Sequence, residues 1–245
     1  MYNIVNKNRR TAAEWRIKMN IVWLGQAGLL IKMYGKIILS DPYLSNSVEK
    51  INPLNRRKVP VDESFYNIKP DIIVLTHDHL DHTDPETLEK YLKPDSGITV
   101  LASKNAWNTA RSFGGNNNYV LFNRHTQWTQ YGIKFTSVKA EHSDDYAIGV
   151  IIEGNGKKLY ITGDTLYNTE IFEDLPSGID YVFLPINGAG NNMNMTDAER
   201  FCKKLNVAAI PLHCGLFDDI DMKQWKYENK TIPKIYKEIE LLCEN

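Results

Sequence analysis

The chain has 245 residues, 42% of them hydrophobic and 24% charged, an ordinary composition for a globular protein. Its 29 basic and 30 acidic residues leave a formal charge of −1, which argues against a surface built mainly to neutralise nucleic-acid phosphates. The three cysteines, at 202, 214 and 243, form no CxxC pair, so a disulfide scaffold is not expected and a reducing cytoplasm is.

Residues 1–10 are polar and lack the apolar core of a signal peptide. No stretch approaches the ~18 consecutive apolar residues of a membrane span, so no membrane association is expected. Residues 21–24, 29–33 and 36–40 are short apolar runs separated by glycine turns, the pattern of a strand meander. Residues 44–61 carry Pro53, Pro60 and the basic run Arg56-Arg57-Lys58, and read as a long loop of the kind that often serves function. Residues 71–76 form a nearly continuous β-branched run, as in a strand covered on both faces. Asp84 and Pro85 then suit the cap and first position of a helix over 84–92. Residues 98–102 read as a buried strand and 104–113 as a helix.

The pattern partly recurs in the second half. Strands are predicted at 133–139, 147–153, 158–162, 180–184 and 207–212. Thr196 to Glu199 reads as a capping box opening a helix to Leu205, and apolar spacing predicts an amphipathic helix over 232–242. This order predicts two sheets packed face to face with helices outside, an α/β four-layer αββα sandwich. One domain over 1–245 is expected, with pseudo-symmetric halves of about 1–130 and 131–245.

The chemistry concentrates in Thr76-His77-Asp78-His79-Leu80-Asp81-His82, where three histidines and two aspartates fall within six residues after a buried strand. His77 and His79 alternate by two, so an extended backbone turns both rings to one side. Imidazole and carboxylate together suit zinc, iron or manganese. Packing alone gives no reason for such a density of ligand-type side chains.

His-x-His-x-Asp-His after a hydrophobic strand resembles the hallmark of the metallo-β-lactamase superfamily. Asp41, His142, Asp164 in Thr162-Gly163-Asp164-Thr165, and His213 match the other motifs of that superfamily in order. A finer resemblance is to its UlaG-like branch, typified by L-ascorbate-6-phosphate lactonase. Trp23 to Gly28, Asp41 to Leu44, Thr76 to His79, and Asn187 to Asn194 with Thr196-Asp197-Ala198 carry it. The superfamily resemblance implies the αββα fold and two divalent cations, manganese or zinc, with iron also compatible. His77, His79 and His142 would hold one, Asp81, His82 and His213 the other, and Asp164 would bridge them. A metal-bound hydroxide would open a lactone or related small anionic ester, with Asp81 and Asp164 as the catalytic carboxylates. Asp81 would shuttle a proton to the leaving group. Asp41 would orient a ligand from behind.

A phosphodiesterase on the same site and a non-catalytic metal-stabilised binding module are the alternatives. Candidate substrate contacts are Gln26, Tyr43, Arg56, Arg57, Tyr167, Asn187, Asn191 and Asn194. Cys214 beside His213 is read as a packing residue. The expected partner is a small, anionic molecule and not a nucleic acid. UlaG-like relatives can be homo-oligomers, and no interface signal stands out here.

Overall fold

The computed structural model describes residues 19–239 and 241. Residues 1–10 and Cys243 lie outside them. Two six-stranded mixed sheets face each other. The first runs in order from β1 (Asn20–Gly25) through β2 (Gly28–Met33), β3 (Lys36–Ser40), β4 (Ile72–Leu75) and β5 (Thr99–Ala102) to β6 (Asn118–Leu121). The second runs from β12 (Ala208–Leu212) through β11 (Tyr181–Pro185), β10 (Lys157–Ile161), β9 (Ile148–Gly154) and β8 (Ile133–Lys139) to β7 (Gln127–Gln130). Each sheet joins an antiparallel part to a parallel part. Three hairpins turn on Tyr34-Gly35, Tyr131-Gly132 and Asn155-Gly156, with φ positive at both positions of each pair. Such turns match the twist of the strands they join.

Alternation along β4 explains the layering. Ile72 and Val74 pack between the sheets with Phe135 and Val150, while Ile73 and Leu75 pack outward. The outward face meets Leu88 of α2 (Pro85–Tyr91) and Ala106 and Ala110 of α3 (Lys104–Arg111). On the other sheet α5 (Met195–Leu205) sets Phe201 with its ring centroid 6.3 Å from that of Tyr160. Both faces of β4 are therefore buried, as its uninterrupted Ile-Ile-Val-Leu requires. Pro211 sits in β12, an outer strand of its sheet, where a missing N–H costs little.

Several boundaries differ from expectation for local reasons. β6 and β7 were not anticipated, because both are outer strands of only four half-exposed residues. The long loop contains α1 (Ser47–Ile51) and a single turn at Pro53–Asn55. Helix α5 is capped by Asn194, whose side chain accepts from the amides of Thr196 and Asp197, so the cap lies two residues before the expected Thr196. Glu199 instead pairs with Lys203 at 2.6 Å.

The predicted C-terminal helix is absent from the described part of 232–242. The Thr231 amide donates to Ala209 O of β12, while the Tyr236 and Ile239 amides donate to Trp23 O and Ile21 O of β1. The segment thus closes both sheets at one end of the sandwich, and satisfies backbone groups an open edge would leave unpaired. Ile232, Ile235 and Ile239 pack into the seam, so a spacing that imitates a helix face is one side of a strap. No helix among the described residues is long and apolar enough to cross a membrane.

The loop after β6 is tied to α4 (Ile171–Asp174) by one carboxylate. Asp174 accepts from Arg124 Nε at 2.6 Å and Nη2 at 2.8 Å, from His125 Nε2 at 3.0 Å, and from the Lys139 amide at 2.9 Å. The Arg124 fork, then His125 and Lys139, hold its carboxyl well below the usual carboxylate range. A depressed folded-state pKa contributes stability above the unfolded value of about 3.9 and loses it as pH falls below that. Thermal denaturation of Asp174→Asn should therefore give a melting temperature roughly 2–4 °C below wild type at pH 7. The gap should narrow below about pH 4. An equal gap at pH 7 and pH 3.5 would contradict this assignment.

Candidate metal centre

The parallel strands deliver their C-terminal ends to one edge of the seam between the sheets. His77 follows β4, His213 follows β12, and Asp164 lies just past β10. A tight turn after β4 folds the motif onto itself: the His82 and Thr83 amides donate to His79 O, and Thr83 Oγ1 donates to His77 O at 2.7 Å. Gly163, with φ +62, brings the second sheet in. A Cβ there would stand 2.7 Å from Ile148 O and 3.1 Å from Thr76 Cβ, so only glycine lets Asp164 come opposite His77.

The seven expected ligands come together in three overlapping groups, His77 with His79 and His142, His77 with His82 and Asp164, and Asp81 with His82 and His213. Within each group the donor atoms lie within 4.8 Å of one another. His142 Nε2 is 3.1 Å from His79 Nδ1, and His82 Nε2 is 3.2 Å from His213 Nε2. Asp164 joins His77 and His82 in one group, its Oδ1 3.2 Å from His82 Nε2, and its Oδ2 is 3.0 Å from His213 Nε2 of another. Asp81 Oδ2 is 3.2 Å from His213 Nε2.

The outward nitrogens of these rings are held by separate partners. His82 Nδ1 donates to Asp41 Oδ2 at 3.0 Å. His77 Nδ1 donates to Thr76 Oγ1 at 3.1 Å, and that hydroxyl donates to Asp41 Oδ2 at 2.6 Å. His142 Nδ1 donates to Asn191 O at 3.2 Å, and His79 Nε2 to Ser143 Oγ at 3.4 Å. His77 Nε2 is left buried without a hydrogen-bond partner, facing the cluster. A buried nitrogen without a partner is costly unless something takes its lone pair. Together with oxygen and imidazole donors at these separations, it fits a divalent cation.

Electrostatics support the same reading. Burial pushes His77 well below the usual imidazole range, which keeps its lone pair free. Burial also opposes charge on His213, but Asp164 and Asp81 outweigh it and raise the ring to about 10. His82 is likewise raised, against its burial, by Asp164 and Asp81. Asp164 and Asp81 are in turn held low, despite burial, by His213 and His82. Both carboxylates are thus anionic at neutral pH.

The candidate substrate contacts divide. Gln26 is at the centre: its Nε2 donates to Asp81 Oδ2 at 2.8 Å, and its carbonyl accepts from the His213 amide. Asn187 Nδ2 lies 3.1 Å from His213 Nδ1. Asn191 participates through its backbone carbonyl. Asn194 is committed to capping α5. Tyr43 is wholly buried, its ring edge-on to Phe217 and its hydroxyl accepting from the Val48 amide. Arg57 is buried too, with its guanidinium on Tyr43 O and the Tyr236 hydroxyl. Tyr167 packs among Phe172, Phe201 and Arg200. Arg56 is exposed, 3.7 Å from Glu49. Tyr43 and Arg57 are thus committed to internal partners and Asn194 to its cap, while the half-buried Tyr167 has a packed ring. Cys214 is buried in the hydrophobic core.

Two residues went unrecognised in the sequence. Asn192 is buried, donates to Asp164 Oδ2 at 2.8 Å and accepts from the Thr165 amide at 3.0 Å. Its signal was its place in the Asn-rich stretch 187–194. Thr76 relays Asp41 to His77, and its signal was its position directly before the first histidine.

Comparison with known proteins gives matching results. Residues 36–214 match the Beta-lactamase superfamily domain. The chain is 31% identical to a UPF0173 metal-dependent hydrolase of Ligilactobacillus salivarius, over 82% of this chain and 88% of that one. It is 28% identical to a UPF0173 metal-dependent hydrolase of Sulfurisphaera tokodaii, over 89% and 94%. Igni18, a metallo hydrolase from Ignicoccus hospitalis, shares the fold with a TM-score of 0.72 at 19% identity, covering 92% of this chain and 99% of that chain.

Asp41→Asn keeps the shape of the side chain and removes its charge. Outer partners of metal ligands typically account for about 10–100-fold in affinity. Competition against a chromophoric chelator should show zinc binding weakened by about that factor in Asp41→Asn, with circular dichroism unchanged. Unaltered zinc affinity in a folded variant would contradict the role given to Asp41.

Proposed function

The chain belongs to the UPF0173 metal-dependent hydrolase family of the metallo-β-lactamase superfamily, and on that premise we propose that its centre takes two divalent cations and opens a lactone or related small anionic ester. One observation carries the two-cation reading: Asp164 shares a donor group with His77 of the three-histidine group, and its two oxygens lie 3.2 Å and 3.0 Å from His82 and His213 of the Asp-His-His group. His77, His79 and His142 would hold one ion, and Asp81, His82 and His213 the other, with Asp164 shared. Manganese and zinc both suit a nitrogen and oxygen donor set without thiolate. Bound there, the ions would supply Lewis acidity and a water acidic enough to attack at neutral pH.

The chain's own residues would do the rest. Asn192 fixes the Asp164 carboxylate by its 2.8 Å hydrogen bond, and Gln26 fixes Asp81 by another of 2.8 Å. Asp81 is anionic and partly exposed, so it can take a proton from the attacking water and return it to the leaving oxygen. Asp41 and Thr76 hold His82 and His77 in the orientation that turns Nε2 inward. A phosphodiesterase would use the same residues, and substrate turnover separates the two. Cytoplasmic residence belongs to the same proposal, in keeping with the buried free thiols of Cys202 and Cys214.

The test combines metal analysis with a substrate panel of sugar-acid lactones and bis-p-nitrophenyl phosphate. The proposal expects two ions per chain and lactone turnover, with kcat lowered about 10²-fold or more in Asp81→Asn. Turnover of the phosphodiester with lactones inert would replace the lactonase reading. Metal content near zero after manganese or zinc loading would overturn it altogether.

A further inference from the structure

His213 differs from the other four imidazoles of the centre in what its outward nitrogen meets. His77, His79, His82 and His142 each have an oxygen there, from Thr76, Ser143, Asp41 and Asn191 respectively. His213 Nδ1 meets an amide nitrogen instead, Asn187 Nδ2 at 3.1 Å, while Gln26 Nε2 lies 3.3 Å from both ring nitrogens. The Gln26 nitrogen is already given to Asp81 Oδ2 at 2.8 Å. Asn187 Oδ1, at the other end of its amide, is buried without a partner.

His213 Nε2 points at Asp164 Oδ2 and Asp81 Oδ2, the side on which a cation would be held. A neutral imidazole that gives the lone pair of Nε2 to a metal carries its hydrogen on Nδ1. That hydrogen needs an acceptor, and an amide nitrogen is not one. The oxygen and nitrogen of a primary amide exchange places by a half-turn, and hydrogen-bond chemistry decides between them. We infer that Asn187 is the positioning residue of His213: its Oδ1 turns to accept Nδ1–H and so commits Nε2 to the second cation. This rests on the two-cation reading above. It also withdraws Asn187 from direct substrate contact, because its acceptor is given to the ring.

Zinc-loaded protein tests it in two ways. In the wild type, long-range ¹H–¹⁵N spectra should show His213 as the Nδ1-protonated ring, with that proton protected from exchange. Asn187→Leu removes the acceptor, while Asn187→Asp keeps one. Chelator competition should show Asn187→Leu binding its first zinc as the wild type does and its second about 10–100-fold more weakly. Asn187→Asp should stay within about threefold of wild type for both, which a loss of packing alone would not predict. The inference is overturned if His213 is protonated on Nε2 in the loaded protein. It is equally overturned if Asn187→Leu binds both zincs normally, or if Asn187→Asp weakens as Asn187→Leu does. A wild type that binds no second zinc overturns the two-cation reading itself, a result distinct from any of these.

Discussion

The centre depends on one buried carboxylate. Asp41 follows β3, whose parallel pairing with β4 is continued by its amide donating to Val74 O at 2.9 Å. Its φ of 42 lies in the left-handed region, which costs a non-glycine residue on the order of 1–3 kcal/mol. In return the side chain accepts from the Thr76 amide at 2.8 Å, the Thr76 hydroxyl at 2.6 Å and His82 Nδ1 at 3.0 Å. Hydrogen bonds to a charged group contribute roughly 1.5–3 kcal/mol each, so three of them outweigh the strain. Gln26 and His213 are also left-handed, with φ of 49 and 59, and are tied to each other by a backbone hydrogen bond. Strain therefore collects where the ligands are aimed, and the surrounding hydrogen bonds keep it there.

Asp41 also couples the two metal positions proposed here. It reaches His82 directly and His77 through the Thr76 hydroxyl, so one charge orients a ligand in each group. The second sheet joins at the same residue, because the Ile148 amide donates to Thr76 O and Gly163 packs against the Thr76 side chain. Displacing Thr76 would thus disturb a ligand of one group and the approach of Asp164 to both. Asp81 and Asp164 are balanced by His82 and His213, whose raised pKa values reflect that pairing. Such mutual neutralisation lets four ionisable side chains gather in a mostly buried seam.

Much of this could be read in the sequence, and the failures have physical causes. The candidate ligands were legible as a group because seven histidines and aspartates each stand beside a core strand or in the turn after one. The strands of the core were legible because both faces of β4, β5 and β11 are apolar. The outer strands β6 and β7 were not, since four half-exposed residues are too few to mark a buried face. Residues 232–239 imitate a helix because a strap along a seam also buries every third or fourth side chain. Tyr43, Arg57 and Tyr167 have the chemistry of substrate contacts, yet Tyr43 and Arg57 are buried and the Tyr167 ring packs on Phe172, Phe201 and Arg200. The groups they meet, Phe217, Tyr236 and Phe201, lie far from them along the chain, on elements whose packing no local pattern reveals. Asn192 was missed for the same reason, one amide in an Asn-rich stretch being indistinguishable from its neighbours until Asp164 is opposite it.

The central claim is that these seven side chains form two cation positions sharing Asp164. Anomalous diffraction from crystals grown with zinc, collected on either side of the zinc edge, tests it most directly. Two peaks about 3.5–4 Å apart are expected. One should be ligated by His77, His79 and His142, the other by Asp81, His82 and His213, with Asp164 touching both. A single peak, or two that do not share Asp164, would contradict it.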